Sequence, residues 1–312
     1  MKPIFGALCA SLGILLLSAS LATPASANSF AVLADLAVRS ATSYEAPARP
    51  AIIAPARRWI GPDGEPLPFR TDAQVLEFLR TADVVRTKVL TSGSTKPLKL
   101  YLEKDGVRAD AIFRTVAASK HRTGGHLNRK QFRDHYAFEI AAYEVSRLVG
   151  LDHVPPATLR RIDGREGSVQ LWVENATSET DRIERGDKPA RPAHINFQKH
   201  MMRVFDHLIY NFDRNTGNIL VDADHKVWLV DHTRSFKSSP EFPEGPPVVV
   251  CERSMWKHLR GIEETELRDR LRPYLESLEL EATVERHRAL VNHLEHLIDE
   301  RGESAVLFDL NA

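Results

Sequence analysis

The stretch NFDRNTGNILVDADHKVWLVDHTRSF carries Asp213, then Asn218 five positions on, then Asp231. Carboxylate and amide oxygens suit hard divalent cations such as Mg2+, which complete their shell with water and phosphate oxygens. One carboxylate to take a hydroxyl proton, with an amide and a second carboxylate to hold metal, is the set that phosphoryl transfer uses. The apolar runs Ile219-Leu220-Val221 and Val227-Trp228-Leu229-Val230 flank the turn Asp222-Ala223-Asp224. A hairpin there returns Asp231 to the side of Asn218, so three oxygen-bearing side chains converge.

Other elements must hold that loop. FQKHMMRVFDHLIYNF places Met201, Phe205, Leu208, Ile209 and Phe212 at helical spacing and runs directly into Asp213. DHYAFEIAAYEVSRLVG predicts a second strong helix, with Phe138, Ala141, Ala142, Val145, Leu148 and Val149 on one face, Asp134 as cap and Gly150 as stop. Leu98, Leu100 and Leu102 alternate with Lys99, Tyr101 and Glu103, and Lys104-Asp105-Gly106 turns that strand into VRADAIFRTV. ATLRRIDGREGSVQLWVE reads as a further hairpin through Asp163-Gly164. Thr71 can cap DAQVLEFLRTADVV, and leucines at helical intervals make the C-terminus helical. Strands dominate the first half and helices the second, an α+β architecture of two lobes divided near Asn175.

The 312 residues carry 42 basic and 42 acidic side chains and no formal net charge. That balance gives no basic stripe for nucleic acid. Lys2, the apolar run IFGALCASLGILLLSASLA and Ala25-Ser26-Ala27 have the layout of a secretory signal peptide over 1–27, with cleavage before Asn28. The expected destination is periplasmic or secreted, with no stable membrane insertion after cleavage. Cys251 would then be the one remaining cysteine, so no internal disulfide forms and packing must supply stability. Residues 28–70, rich in Ala, Pro and Arg, are expected to be a poorly ordered linker. The N-lobe is expected over 71–175 and the C-lobe over 176–312.

DRNTGNILV, LVDHTRSF and FEIAAYEVSRLVGLDHVPP together resemble the atypical branch of the protein-kinase superfamily. That branch includes phosphatidylinositol 3-/4-kinase-like, HipA-type, four-jointed and secretory-pathway casein kinases. The Asp-to-Asn spacing is the one protein kinases use, although Asn211-Phe212 stands for His-Arg and Asp231-His232-Thr233 for Asp-Phe-Gly. The resemblance implies a bilobal kinase-like fold that binds ATP and Mg2+ (or Mn2+) between its lobes. It makes Asp213 the catalytic base and Asn218 and Asp231 metal ligands. Gly93, Ser94 and Thr95 would cover the phosphates, and Val173 and Glu174 would belong to the hinge that meets adenine. Glu139 would pair with the basic residue that grips the nucleotide. That residue is Arg114, where the family usually has Lys; Arg keeps the charge but presents a fixed, bulkier fork. The implied activity is transfer of the γ-phosphate to a hydroxyl acceptor, with protein Ser/Thr favoured. A pseudokinase that binds nucleotide or partner without chemistry, and a nucleotidyl transferase on the same residues, are the alternatives.

Overall fold

The computed structural model describes residues 59–91, 95–120 and 132–310, all within one compact unit, Ala54–Ala312. The expected signal peptide, linker residues 28–58, Gly93 and Ser94 lie outside the described residues. The remainder of the expected linker is packed: Trp59 and Leu67 are buried, and an isolated bridge joins Ile60 to Pro66.

Helix α1 (Asp72–Thr81) begins at Thr71, whose hydroxyl accepts from the Gln74 N–H while the Gln74 side chain reaches back to the Thr71 N–H. This capping box satisfies two orphan donors at the helix start. Strands β1 (Asp83–Val89), β2 (Leu98–Lys104), β3 (Val107–Arg114), β6 (Ala157–Ile162) and β7 (Arg165–Leu171) form one antiparallel sheet in the order β1-β2-β3-β7-β6. Both predicted hairpin turns have two left-handed central residues, Asp105-Gly106 and Asp163-Gly164. Such turns match the right-handed strand twist. Gly167 permits close approach, because a Cβ there would collide with the Arg114 carbonyl.

Alternation gives this sheet two different faces. Leu100, Leu102, Ala109, Ala111, Phe113, Val169 and Leu171 point to the side that buries Val75, Phe78 and Leu79 of α1. The opposite face carries Lys99, Asp110, Arg114, Ser168 and Gln170 by the same period. Strands β4 (Ala117–Lys120) and β5 (Phe132–His135) pair separately and lead into α2 (Ala137–Leu148). Helix α2 is buried on nearly every side, which explains its Ala-rich sequence and leaves Glu139 fully enclosed rather than at the edge of one apolar face. Asp134 does not cap it. Tyr136 occupies that position without a side-chain cap, and Asp134, in β5, pairs with Arg234 instead.

After the sheet come β8 (Ala176–Ser178), α3 (Glu179–Glu184) and α4 (Pro192–Leu208). Helix α4 stops at Leu208. Tyr210 turns left-handed and Phe212 is exposed, so Phe212 does not extend the buried stripe. A 3-10 turn (Thr216–Asn218) leads to β9 (Ile219–Asp222) and β10 (Val227–Leu229), which pair as predicted and add β8 as a third strand. Strand β11 (Cys251–Glu252), α5 (Arg253–Arg260), α6 (Glu264–Leu271), α7 (Ser277–Arg301), α8 (Glu303–Val306) and β12 (Leu307–Phe308) complete the chain. One apolar core joins α2, α4 and α7. Arg286 of α7 is fully buried within it, donating to the carbonyls of Leu208, Lys237 and Ser239 and thereby fixing both ends of the 209–236 segment. No helix among the described residues is long and apolar enough to cross a membrane.

Candidate active site

The loop after α4 is built from side-chain amides that imitate backbone turns. Asn211 donates to Asp206 and accepts from the Asp213 N–H at 3.1 Å, while Asn215 accepts from the Gly217 N–H at 2.9 Å. Asn218 directs its amide nitrogen to the Asp213 carbonyl at 3.1 Å. That hydrogen bond fixes the amide orientation and leaves the oxygen as the end available to a cation.

Arg214 holds this loop in place. Its guanidinium forks onto both oxygens of Asp206, each at 3.0 Å, and also donates to the carbonyls of Asn218 and Val230, each at 2.9 Å. A single planar group therefore ties helix α4, the Asp213–Asn218 loop and the strand leading to Asp231. The Val230 N–H closes the pair with the Asn218 carbonyl at 3.2 Å.

Asp231 is left-handed (φ 58°), an uncommon conformation for a residue with a side chain. The turn sends His232 inward, where its backbone N–H and ring Nδ1 reach the two oxygens of Glu139 at 3.0 and 3.1 Å. Arg114 Nε lies 3.4 Å from Glu139 Oε1 and 3.8 Å from Asp231 Oδ1. Burial alone would raise the Glu139 pKa, but the Arg114 charge and the His232 donors outweigh it and hold the carboxyl down to about 2. Arg234 bridges Asp134 at 2.9 Å and Asp213 at 3.1 Å.

The structure thus brings Asp213, Asn218, Asp231, Arg114 and Glu139 into one connected network. Thr95, exposed, borders a cavity of about 40 Å3 that Arg114 also lines. Val173 and Glu174 follow β7 at the far end of the sheet, where the Trp172 N–H donates to the Asp110 carbonyl. A larger cavity of about 760 Å3, bordered by Trp256, Ile298 and Leu307, shares no residue with this network. Among the described residues no cluster of three or more His, Cys, Asp or Glu side chains could by itself hold a metal ion. One amide oxygen and one carboxylate are instead what a cation carried in on phosphates would need.

Arg214, Arg234, Asp206 and His232 escaped the sequence reading. Arg214 adjoins the expected base, but adjacency does not distinguish a solvated arginine from one that threads three elements.

The model of the phosphatidylinositol 3- and 4-kinase family matches residues 162–301. Among solved structures, hydra Fam20 with sugar superposes with a TM-score of 0.56 at 16% identity, covering 76% of this chain and 92% of that one. The Golgi casein kinase superposes at 0.54 and 14% identity, covering 76% and 79%. The chain has the atypical protein-kinase-like fold. The Golgi casein kinase with Mn/ADP bound also superposes, at 0.52 and 16% identity over 76% of this chain and 78% of that one. No curated protein matches the chain. In this kinase-like fold the five-stranded sheet makes the sheet-rich lobe, as expected from the sequence, while α2 shares its apolar core with the helices α4 and α7.

Proposed function

We propose that the chain is an exported phosphotransferase that moves the γ-phosphate of ATP to a hydroxyl acceptor, with a protein Ser/Thr favoured. The observation that carries this reading is the connected Asp213, Asn218, Asp231, Arg114 and Glu139 network on a kinase-like fold. Asp213 takes the acceptor proton. The acceptor oxygen bonds to the γ-phosphorus as the bond to the β–γ bridging oxygen breaks, and ADP leaves with that electron pair. Asn218 and Asp231 would hold Mg2+ or Mn2+ together with phosphate oxygens. When bound, such a cation neutralises charge that builds on the phosphates. Arg114, fixed by Glu139, donates to phosphate oxygens from a preset fork, and Thr95 with Gly93 and Ser94 covers the phosphates. The segment through Val173 and Glu174 meets the base.

Arg114 in the lysine position motivates the pseudokinase reading, and the same residues could serve nucleotidyl transfer. Labelled ATP separates the three. Label from the γ position on an acceptor supports the phosphotransferase; α label supports nucleotidyl transfer; binding without transfer supports the pseudokinase. Two variants test the roles. Asp231→Asn should lose cation-dependent ATP binding, whereas Asp213→Asn should keep binding and lose turnover. Ligand at about 100 times its Kd stabilises a fold by about 2.7 kcal/mol, so thermal shift reads binding directly. If both variants keep the full ATP shift, the metal assignment is wrong.

A further inference from the structure

The main chain of Asp213 is pinned by its neighbours. Its N–H donates to Asn211 Oδ1 at 3.1 Å, and its carbonyl accepts from the Asn215 N–H at 2.8 Å and the Asn218 amide at 3.1 Å. None of these bonds touches the carboxylate, which is half-buried and has its own torsions to settle. Among the described residues the group that settles them is Arg234, whose Nη1 lies 3.1 Å from Asp213 Oδ2.

Arg234 is itself anchored from a distant element. Its Nε donates at 2.9 Å to Oδ2 of Asp134, which is buried in β5. The same strand is fastened to the segment that carries Arg234, because the His135 N–H donates to the Thr233 carbonyl at 2.9 Å. Asp134 caps no helix, and its Oδ1 is buried with no hydrogen-bond partner. A buried carboxylate with one oxygen unpaired is costly. What the buried acid secures is the place of the guanidinium, whose rigid fork then fixes the second carboxylate relative to the first.

We propose that Arg234, anchored by Asp134, is a positioning residue for phosphoryl transfer, which engages Asp213 Oδ2 and so aims Oδ1 at the acceptor hydroxyl. This rests on the phosphotransferase reading above and adds to it the residues that orient the base. The hydroxyl gives its proton to Oδ1 as its oxygen bonds to the γ-phosphorus, and ADP leaves with the electron pair of the broken bond. A carboxylate free to rotate presents that oxygen only part of the time. Arg234 acts here through Asp213 and not on ATP, so its loss belongs in kcat and not in nucleotide affinity.

The test follows transfer of γ-label from ATP, with Mg2+, to a degenerate Ser/Thr peptide library by the full chain, with ATP affinity measured in parallel by thermal shift. Arg234→Ala should lower kcat by about 10- to 100-fold, the scale of a misaimed catalytic group, and leave ATP affinity within about twofold of wild type. Millimolar guanidinium should restore part of that turnover and none of the turnover lost in Asp213→Asn. Arg234→Lys keeps the charge but reaches only one carboxylate, so it should fall between wild type and the alanine variant. Asp134→Asn should lower kcat by a smaller factor, and the double variant Asp134→Asn/Arg234→Ala should be no slower than Arg234→Ala, because both changes act through one contact. The lysine and asparagine variants carry the test if the alanine variant fails to fold. Wild-type kcat in the Arg234 variants overturns the proposal and leaves the phosphotransferase reading standing. A fall in kcat matched by an equal loss of ATP affinity also overturns it, since Arg234 would then serve the nucleotide or the fold. A wild type that transfers no label overturns the phosphotransferase reading and this proposal together.

Discussion

Replacing Glu139 by Gln removes one buried charge from α2, between β3 and the segment after β10. Its carboxylate is fully buried, accepts two hydrogen bonds from His232 and lies 3.4 Å from Arg114. Breaking a buried pair strands the other charge and costs about 3–5 kcal/mol. Glutamine keeps one acceptor for the His232 N–H, which places the loss near the lower end. Linkage gives a second route to the magnitude. The fall in pKa from 4.5 to about 2 corresponds to on the order of 3 kcal/mol. The sign follows from proton binding. Above pH 4.5 both folded and unfolded chains carry an ionised Glu139, and the stabilisation is complete. Between 4.5 and about 2 the unfolded chain binds the proton first, so stability falls with pH, and below about 2 the contribution is gone. For a unit of this size a loss of about 3 kcal/mol lowers Tm by about 6–12 °C. Urea unfolding of wild type and Glu139→Gln at pH 7, 5, 4 and 3 should show a constant gap down to about pH 5 that narrows below it. A variant within about 0.5 kcal/mol of wild type at pH 7 would refute the account, because that is the scale of an ordinary surface substitution. A gap that stays constant into strong acid would refute the electrostatic part alone.

Arg214→Lys cannot reproduce a fork that meets Asp206 and two carbonyls together. It should destabilise by about 3 kcal/mol in chemical denaturation and depress turnover by loosening the loop that Arg214 ties to α4. Arg114→Lys should lower kcat/KM rather than restore it, because one ammonium replaces a fork set between Glu139 and Asp231. A strong rise in a steady-state assay would mark the natural protein as a weakened enzyme. Protein recovered from outside the producing cell should begin at Asn28 on N-terminal sequencing, and recovery with Met1 intact would count against export.

The sequence by itself determined most of the elements. Periodicity placed α2 and α4, two-residue turns at Asp105-Gly106 and Asp163-Gly164 placed the hairpins of the sheet, and the hairpin after Asn218 returned Asp231 to its side. These features are local, since helical spacing and turn chemistry are decided within a few residues. The Arg114–Glu139 pair was also legible, but only because a resemblance assigned roles to two residues from separate elements.

What the sequence could not give is every relation between residues brought together from distant parts of the chain. Nothing local says that Asp134 pairs with Arg234 a hundred positions on rather than capping the next helix, or that Trp59 is buried while its neighbours read as linker. Phe212 had the spacing of a core residue, yet the left-handed turn at Tyr210 ends the helix before it and leaves it exposed. Arg214 and His232 look like ordinary polar residues until the fold encloses them. Only packing removes water from such groups, and only then does an ion pair or an unpaired acceptor carry several times its energy at the surface. Burial, and with it the identity of the residues that hold the site, was decided by the tertiary structure.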